Sequence, residues 1–353
     1  MSLNYNALSS LTRDKFIPVL VDNIFNSNVL AFKLLKNAEK LDGGKKIITP
    51  LEYGLNTAQG YYSGYDVLDT TPSDPITSAE WDWRLAYATI SISGEDELKN
   101  SGDSQVLSLL KSKMRNAEKS LKDMFGLSMF NGDGATAPAS GEVVALGGAK
   151  YDASASTTDF VGSGVNNCII GFDRELGGID STTYTWWDAQ TASFDDTDGT
   201  DASTFTEHIT VPTNGGVSKI ITDMTKMYGK CTIDNDSPDL IVTTQVLMDA
   251  YETSLMSNKR FEGASDLADA GFQTLRFKGA TVVVDSHVPA GQMYFLNTKY
   301  LDFKVHSKRN FVFEDFQKPV NQDARVAKIF WMGQLTCTNP RMQGLLVGGA
   351  SDY

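Results

Sequence analysis

The residues best suited to chemistry are few and stand apart. Three histidines, His208, His287 and His306, are scattered along the 353 residues without the spacing of metal ligands. His287 and His306 fall in or beside predicted strands, where a histidine usually serves as a hydrogen-bonded structural group. Cys168, Cys231 and Cys337 lie far apart and encode neither a disulfide framework nor a zinc ribbon, which points to a reducing cytoplasm or something assembled there. The cluster Asp195, Asp196, Asp198 and Asp201 departs from calcium-loop spacing and reads as a hydrated acidic tip. Glu95 and Glu97 are paired carboxylates of the kind a hydrolase acting on acidic or sugar substrates uses. Next to a strand end, however, such residues more often meet water or cap a helix. No phosphate loop, dinucleotide fingerprint, G-x-S-x-G or H-E-x-x-H occurs. The sequence thus predicts no catalytic residue, no metal and no cofactor.

With chemistry this sparse, charge and pattern carry the reading. The chain has 31 Lys+Arg against 44 Asp+Glu, a net charge of −13. Residues 47–98 hold nine acidic side chains and one basic, Arg84, while 131–218 hold thirteen against two. Residues 1–46 and 99–130 are each basic by three charges. Alternating blocks fit a molecule whose surfaces meet different partners, including copies of itself, although a hydrated acidic loop region is the plainer meaning. No run of apolar residues is long enough to span a membrane, and the first residues lack the pattern of a secretory signal.

Residues 14–40 predict one or two short amphipathic helices broken near Asn26–Asn28. Residues 46–93 predict two long strands, Lys46–Tyr53 and Trp81–Ser93, around an aromatic tip. An isolated two-stranded ribbon is marginal in water, so this one needs cover from its own core or from another subunit. Leu107, Leu110, Met114, Ala117, Leu121 and Met124 form an unbroken stripe that predicts a helix over 104–130, about 40 Å long. Lys111, Lys113, Arg115, Lys119 and Lys122 decorate it; such a face is usually solvated, with polyanion contact the less common meaning. Residues 131–205 read as a loop-heavy, β-leaning insertion. Gly216–Tyr228 as helix, Asp239–Thr243 as strand, and a Thr244-capped helix through Met256 predict an α/β lobe. Strands follow at Gln273–Phe277, Ala280–Asp285, Met293–Leu296, Tyr300–His306 and Ala324–Thr338, the first two joined at Lys278–Gly279.

This order of parts resembles the major capsid proteins of tailed bacteriophages, the HK97-like fold. The resemblance is carried by Leu11–Ser27 (LTRDKFIPVLVDNIFNS), Asp42–Tyr53 (DGGKKIITPLEY), Gly94–Ala117 (GEDELKNSGDSQVLSLLKSKMRNA), Gly177–Trp187 (GGIDSTTYTWW) and stretches within Tyr294–Leu346. It implies an α+β chain divided into an N-terminal arm (1–46), an extended two-stranded E-loop (47–98) and the spine helix of the P domain (99–135). A mainly A-domain region (136–270) and P-domain strands returning to the A domain (271–353) would follow.

The implied function is a structural shell protein. It would assemble into hexamers and pentamers of an icosahedral head, in the host cytoplasm, with scaffolding, portal and decoration proteins and packaged double-stranded DNA as partners. Tyr61, Tyr62, Tyr65, Trp81 and Trp83 would anchor the ribbon on the next subunit, ordinary packing within the chain being the alternative. The five cationic side chains of the helix would face DNA. Some capsids of this fold are locked by a covalent bond from an E-loop lysine; residues 47–98 contain no lysine, so that bond would lack its nucleophile. An encapsulin, a cellular compartment of the same fold, is the alternative shell.

Overall fold

The structure, a computed structural model, describes residues 29–72, 74–95, 103–131, 144–147, 150–151, 160–161, 168–170, 175–194, 219–255, 275–319 and 321–347. Four helices are described: α1 Val29–Lys36, α2 Asp103–Asn131, α3 Lys219–Lys230 and α4 Gln245–Ser254. The early strands are β1 Glu39–Leu41, β2 Ile47–Glu52, β3 Ile76–Trp81 and β4 Arg84–Ser93. Short ones follow: β5 Ala145–Gly147, β6 Lys150–Tyr151, β7 Phe160–Val161, β8 Cys168–Ile170, β9 Glu175–Leu176, β10 Ile179–Asp180 and β11 Gln190–Ser193. The rest are β12 Leu240–Thr243, β13 Leu275–Phe277, β14 Ala280–Val284, β15 Gln292–Leu296, β16 Leu301–His306, β17 Val312–Gln317, β18 Ala324–Cys337 and β19 Gly344–Val347.

Two sheets organise the chain. The first is built on β18, whose fourteen residues are long enough to pair with three strands. β4 runs along one stretch of it, from Arg84 opposite Gly333 to Ser93 opposite Ala324. β16 and β17 also pair with it antiparallel, and β1 adds to β16 in parallel. Helix α2 lies on this sheet. Met114, Ala117, Leu121, Phe125 and Met129 are buried along it, and Phe125 meets Trp331 edge-on at 4.8 Å. The expected stripe is corrected at one position: Met124 is 40% exposed and Phe125 takes its place, because a step of four from Leu121 keeps the row on the covered face. The expected Leu107 and Leu110 side chains lie outside the described residues.

The second sheet has the order β11-β19-β15-β12-β14-β13 and draws on strands from both sides of residue 270. Helices α3 and α4 pack on it through Ile220, Met224, Met227, Leu247, Met248 and Tyr251, making a core distinct from the first. β13 and β14 form the expected hairpin. Lys278 (φ 47°) and Gly279 (φ 100°) both adopt the left-handed backbone that such a tight turn requires. Thr244 stands at the N-cap of α4, but its hydroxyl makes no capping bond and is buried without a partner. The sequence reading of Thr244 as a cap therefore holds for position only.

A glycine inside a helix costs about 1 kcal/mol against alanine, so Gly126, within the C-terminal part of α2, calls for a reason. A Cβ there would stand 2.5 Å from the His287 ring, which approaches from the second sheet's side. Gly126→Ala, a change that usually stabilises an exposed helix, is therefore expected to destabilise this chain by about 1–3 kcal/mol. Urea unfolding measures it; a gain in stability would show that the ring can step aside.

The ribbon departs from expectation. β2 pairs with β3, Ile47 opposite Trp81 and Glu52 opposite Ile76. Residues 84–93, expected as the ribbon's second arm, leave it after Asp82–Trp83 and join the first sheet as β4. The apolar alternation runs unbroken through Trp81, Trp83, Leu85 and Tyr87, so the pattern hides the change of partner. The burial does not: Trp81 is covered while Leu85 and Tyr87 are more than 60% exposed. Of the N-terminal arm, the expected break near Asn26–Asn28 and everything before Val29 lie outside the described residues.

Candidate intersubunit surface

The ribbon is fastened at its root. Ile47, Thr49, Leu51, Ala79 and Trp81 form one covered face. The cover includes the β9–β10 hairpin, whose turn glycines Gly177 (φ 62°) and Gly178 (φ 77°) adopt the backbone a tight turn needs. Gly177 must also be bare, since a Cβ would lie 3.0 Å from that of Ala79 and 3.3 Å from the Trp81 ring. Its carbonyl accepts the Glu80 N–H at 2.9 Å. Beyond the hairpin, Trp186 stacks on Tyr53 with ring centres 5.4 Å apart and planes at 14°. Trp187 is buried, with its indole N–H donated to the Leu176 carbonyl at 3.0 Å. Lys46 and Glu80 form an ion pair at 2.8 Å. Its hydrogen bond and charge hold the Glu80 carboxyl below, and the Lys46 ammonium above, their ordinary ranges.

The turn between β3 and β4 is tied to the first sheet. Buried Gln334 donates its amide to the Asp82 carbonyl at 3.2 Å and accepts from the Val144 N–H at 2.9 Å. The Trp83 indole N–H donates to the Gly44 carbonyl at 3.0 Å, and its ring meets that of His306 edge-on. These contacts fix the direction in which the ribbon leaves the body.

Beyond Tyr53 and Pro75, the described bonds are local to the tip. Asn56 accepts from Ala58, Asp66 from Ser63, and Asp69 from the N–H and hydroxyl of Thr71. Tyr61 and Tyr65 are fully exposed, Val67 is 98% exposed, and Leu55, Tyr62 and Leu68 are exposed as well. Residues 53–75 contain Asp66, Asp69 and Asp74 and no Lys or Arg. Ile48 and Ile76 stand exposed on the ribbon's uncovered face. A soluble chain rarely displays so much clustered apolar and aromatic surface unless something else covers it.

The five aromatic residues expected to make intersubunit contacts thus divide. Tyr61, Tyr62 and Tyr65 are at the tip and exposed. Trp81 is 2% exposed within its own chain, and Trp83 is half-buried and hydrogen-bonded to Gly44. Trp81 is corrected to a core residue: sequence alternation gives a side chain's face but not what covers it. Tyr53 and Trp186, missed in the sequence, are the root's stacked pair; GGIDSTTYTWW carried the signal, with its double glycine and closing aromatics.

A second exposed apolar area lies on the outer face of the first sheet. Leu85 and Tyr87 are exposed and stand in register with half-buried Met332 and Phe330. Between β4 and α2 runs an open cleft of about 390 Å³, whose lining includes Tyr87, Ser91, Lys113, Asn116 and Met124. The cationic residues of α2 divide too. Lys113 donates to the Ser91 carbonyl at 2.7 Å, whereas Arg115 and Lys119 are exposed. The side chains of Lys111 and Lys122 lie outside the described residues.

The residues considered for chemistry remain separate. All three cysteines are buried, and burial pushes the Cys231 thiol up to about 12, which removes it as a nucleophile at neutral pH. His306 accepts from the Lys308 N–H at 3.1 Å. Glu95 is exposed just past β4, while Glu97, His208 and Asp195–Asp201 lie outside the described residues. Among the described residues, no group of three or more His, Cys, Asp or Glu is arranged to hold a metal ion, and no helix is long and apolar enough to cross a membrane.

No protein-family model matches the chain, and no curated protein matches it in sequence. Solved structures do match in fold. The capsid of cyanophage A-1(L) aligns over 92% of this chain and 93% of its own, with a TM-score of 0.61 and 12% identity. The capsid of the native GTA particle aligns over 90% of both chains, with a TM-score of 0.54 and 11% identity. The capsid of Myoviridae phage XM1 aligns over 91% of this chain and 92% of its own, with a TM-score of 0.52 and 9% identity. The chain has the α+β, HK97-like fold of these capsids.

Proposed function

We propose that this chain is a major capsid protein, a structural subunit that assembles with copies of itself into the icosahedral head shell enclosing double-stranded phage DNA. The observation that carries the reading is the ribbon: rigidly aimed at its root and bare at its tip. Residues 47–81 act as the extended E-loop, with Tyr61, Tyr62 and Tyr65 seated on an adjoining copy. Helix α2 is the spine of the P domain, and the second sheet with α3 and α4 belongs to the A domain. Hexamers and pentamers repeat one set of contacts, and closure of the shell multiplies the effect of each. No catalytic step is needed. A net charge of −13 per copy opposes association, so assembly strengthens as salt screens it. Scaffolding and portal proteins are the expected assembly partners, and the virion is the destination. Expression of the full chain followed by sedimentation and negative-stain microscopy tests this: closed hollow shells support it, and a 38.5 kDa monomer at every salt and protein concentration would overturn it.

Among the described side chains of α2, Arg115 and Lys119 are the exposed cations available to packaged DNA. Replacing both by glutamine is expected to leave the fold intact and lower the salt slope of non-specific DNA binding by about 2, one per lost phosphate contact. A salt titration of DNA binding measures it; an unchanged slope would mean that this face of the helix meets only water.

A further inference from the structure

Strand β4 is an edge. Its ten residues pair with β18 in an unbroken register from Arg84 to Ser93, and among the described residues no strand pairs with its other side. One step past the strand, the Gly94 N–H donates to the Asp323 carbonyl, next to β18. Backbone groups of successive strand residues point to opposite sides, so Ala88, Ile90 and Ile92 turn theirs toward β18. Leu85, Tyr87, Thr89 and Ser91 turn theirs outward. Lys113 of α2 agrees with this parity, since its ammonium donates to the Ser91 carbonyl at 2.7 Å. Tyr87, Ala88, Thr89, Ile90 and Ser91 all line the cleft beside α2. Consecutive strand residues can share one cleft only along the backbone edge, because their side chains alternate between faces.

A long edge is usually blunted by proline, a bulge or charge. β4 contains no proline and no bulge, and Lys113 meets it only at Ser91. Beside the open edge, Leu85 and Tyr87 are 62% and 66% exposed. The ribbon tip is the matching half. Asp66–Thr70 lies in no helix, turn or ladder, and Val67 and Leu68 stand exposed within it. The charges are complementary: Asp66 and Asp69 flank those two residues and the tip has no cation, whereas residues 84–93 carry Arg84 and no acid, with Lys113 alongside. We propose that residues 66–70 of one copy add as a strand to the open edge of β4 on the next copy, held by backbone hydrogen bonds. The inference rests on the shell reading and adds to it the receiving surface and the mode of contact. Donor and acceptor are different parts of the chain, so the contact is head-to-tail and closes a ring when repeated around an axis.

Cysteine pairs test the contact in assembled particles. Chains carrying Thr89→Cys are mixed with chains carrying Asp66→Cys, Val67→Cys, Leu68→Cys, Asp69→Cys or Thr70→Cys and assembled under oxidation; the natural cysteines are buried and leave the background low. Paired strands show alternate side chains to one face, so one tip position is expected to crosslink about tenfold more than its immediate neighbours. Equal crosslinking at every position, Thr89→Cys chains linked chiefly to each other, or closed shells with no crosslink would each overturn the proposal. Shells without crosslinks leave the shell reading standing, whereas a natural chain that stays monomeric overturns both. Thr89→Pro removes an outward N–H at an edge, where proline is tolerated. It is expected to raise the concentration at which particles appear by about tenfold, while Thr89→Val, which keeps the N–H, assembles like the natural chain. Assembly of Thr89→Pro at the natural concentration would also overturn the proposal, and if that variant fails to fold the crosslinks decide.

Discussion

Replacement of Tyr61, Tyr62 and Tyr65 together by serine is expected to abolish shell formation and leave the chain folded. All three rings are exposed, and none has a ring contact or hydrogen bond among the described residues, so their removal costs the isolated chain less than about 0.5 kcal/mol. In an assembled contact each buried ring contributes about 2 kcal/mol. Three together amount to about 6 kcal/mol per contact, or some four orders of magnitude in association. Sedimentation velocity reads the outcome: particles for the natural sequence and a small folded species for the variant. Shells forming at the natural concentration would remove the tip from the assembly mechanism.

Trp331→Ala is expected to fail one level lower, at folding. Trp331 is 1% exposed in the middle of β18 and lies beside Phe125, Phe303 and Phe311, with ring centres 4.8, 5.5 and 6.4 Å away. Its indole N–H has no partner, so truncation forfeits packing and leaves a cavity, without breaking a hydrogen bond there. A loss of about 3–5 kcal/mol follows, a large share of the 5–15 kcal/mol that stabilises an ordinary domain. Urea unfolding of whatever soluble chain is recovered measures it. A loss below 1 kcal/mol would show that the joint between helix and sheet closes over the gap. The two substitutions separate a chain that cannot assemble from one that cannot fold.

How much of this was legible in the sequence depends on what each residue answers to. The long helix was readable because Met114, Ala117 and Leu121 repeat at the helical period on the face that the first sheet covers. Strand β18 was readable because its run of apolar and small residues is bounded by turn formers. The exit of β4 from the ribbon was not, since Trp81 and Tyr87 keep the same alternation while one is buried and the other exposed. What separates them is the Asp82–Trp83 turn, fixed by Gln334 from 252 residues away, a distance that local pattern cannot cross. The approach of His287 to Asp123 was hidden for the same reason: the two stand 164 positions apart in the chain. The exposed tyrosines were conspicuous, and Trp81 was grouped with them because composition does not register cover.

A cryo-electron microscopy map of the assembled particle would show what surrounds residues 55–72. The rings of Tyr61, Tyr62 and Tyr65 are expected to pack within about 4 Å of a neighbouring copy, with Tyr53 still stacked on Trp186 at the root. A tip standing free in solvent inside a closed shell, or a ribbon folded onto its own subunit, would contradict this packing.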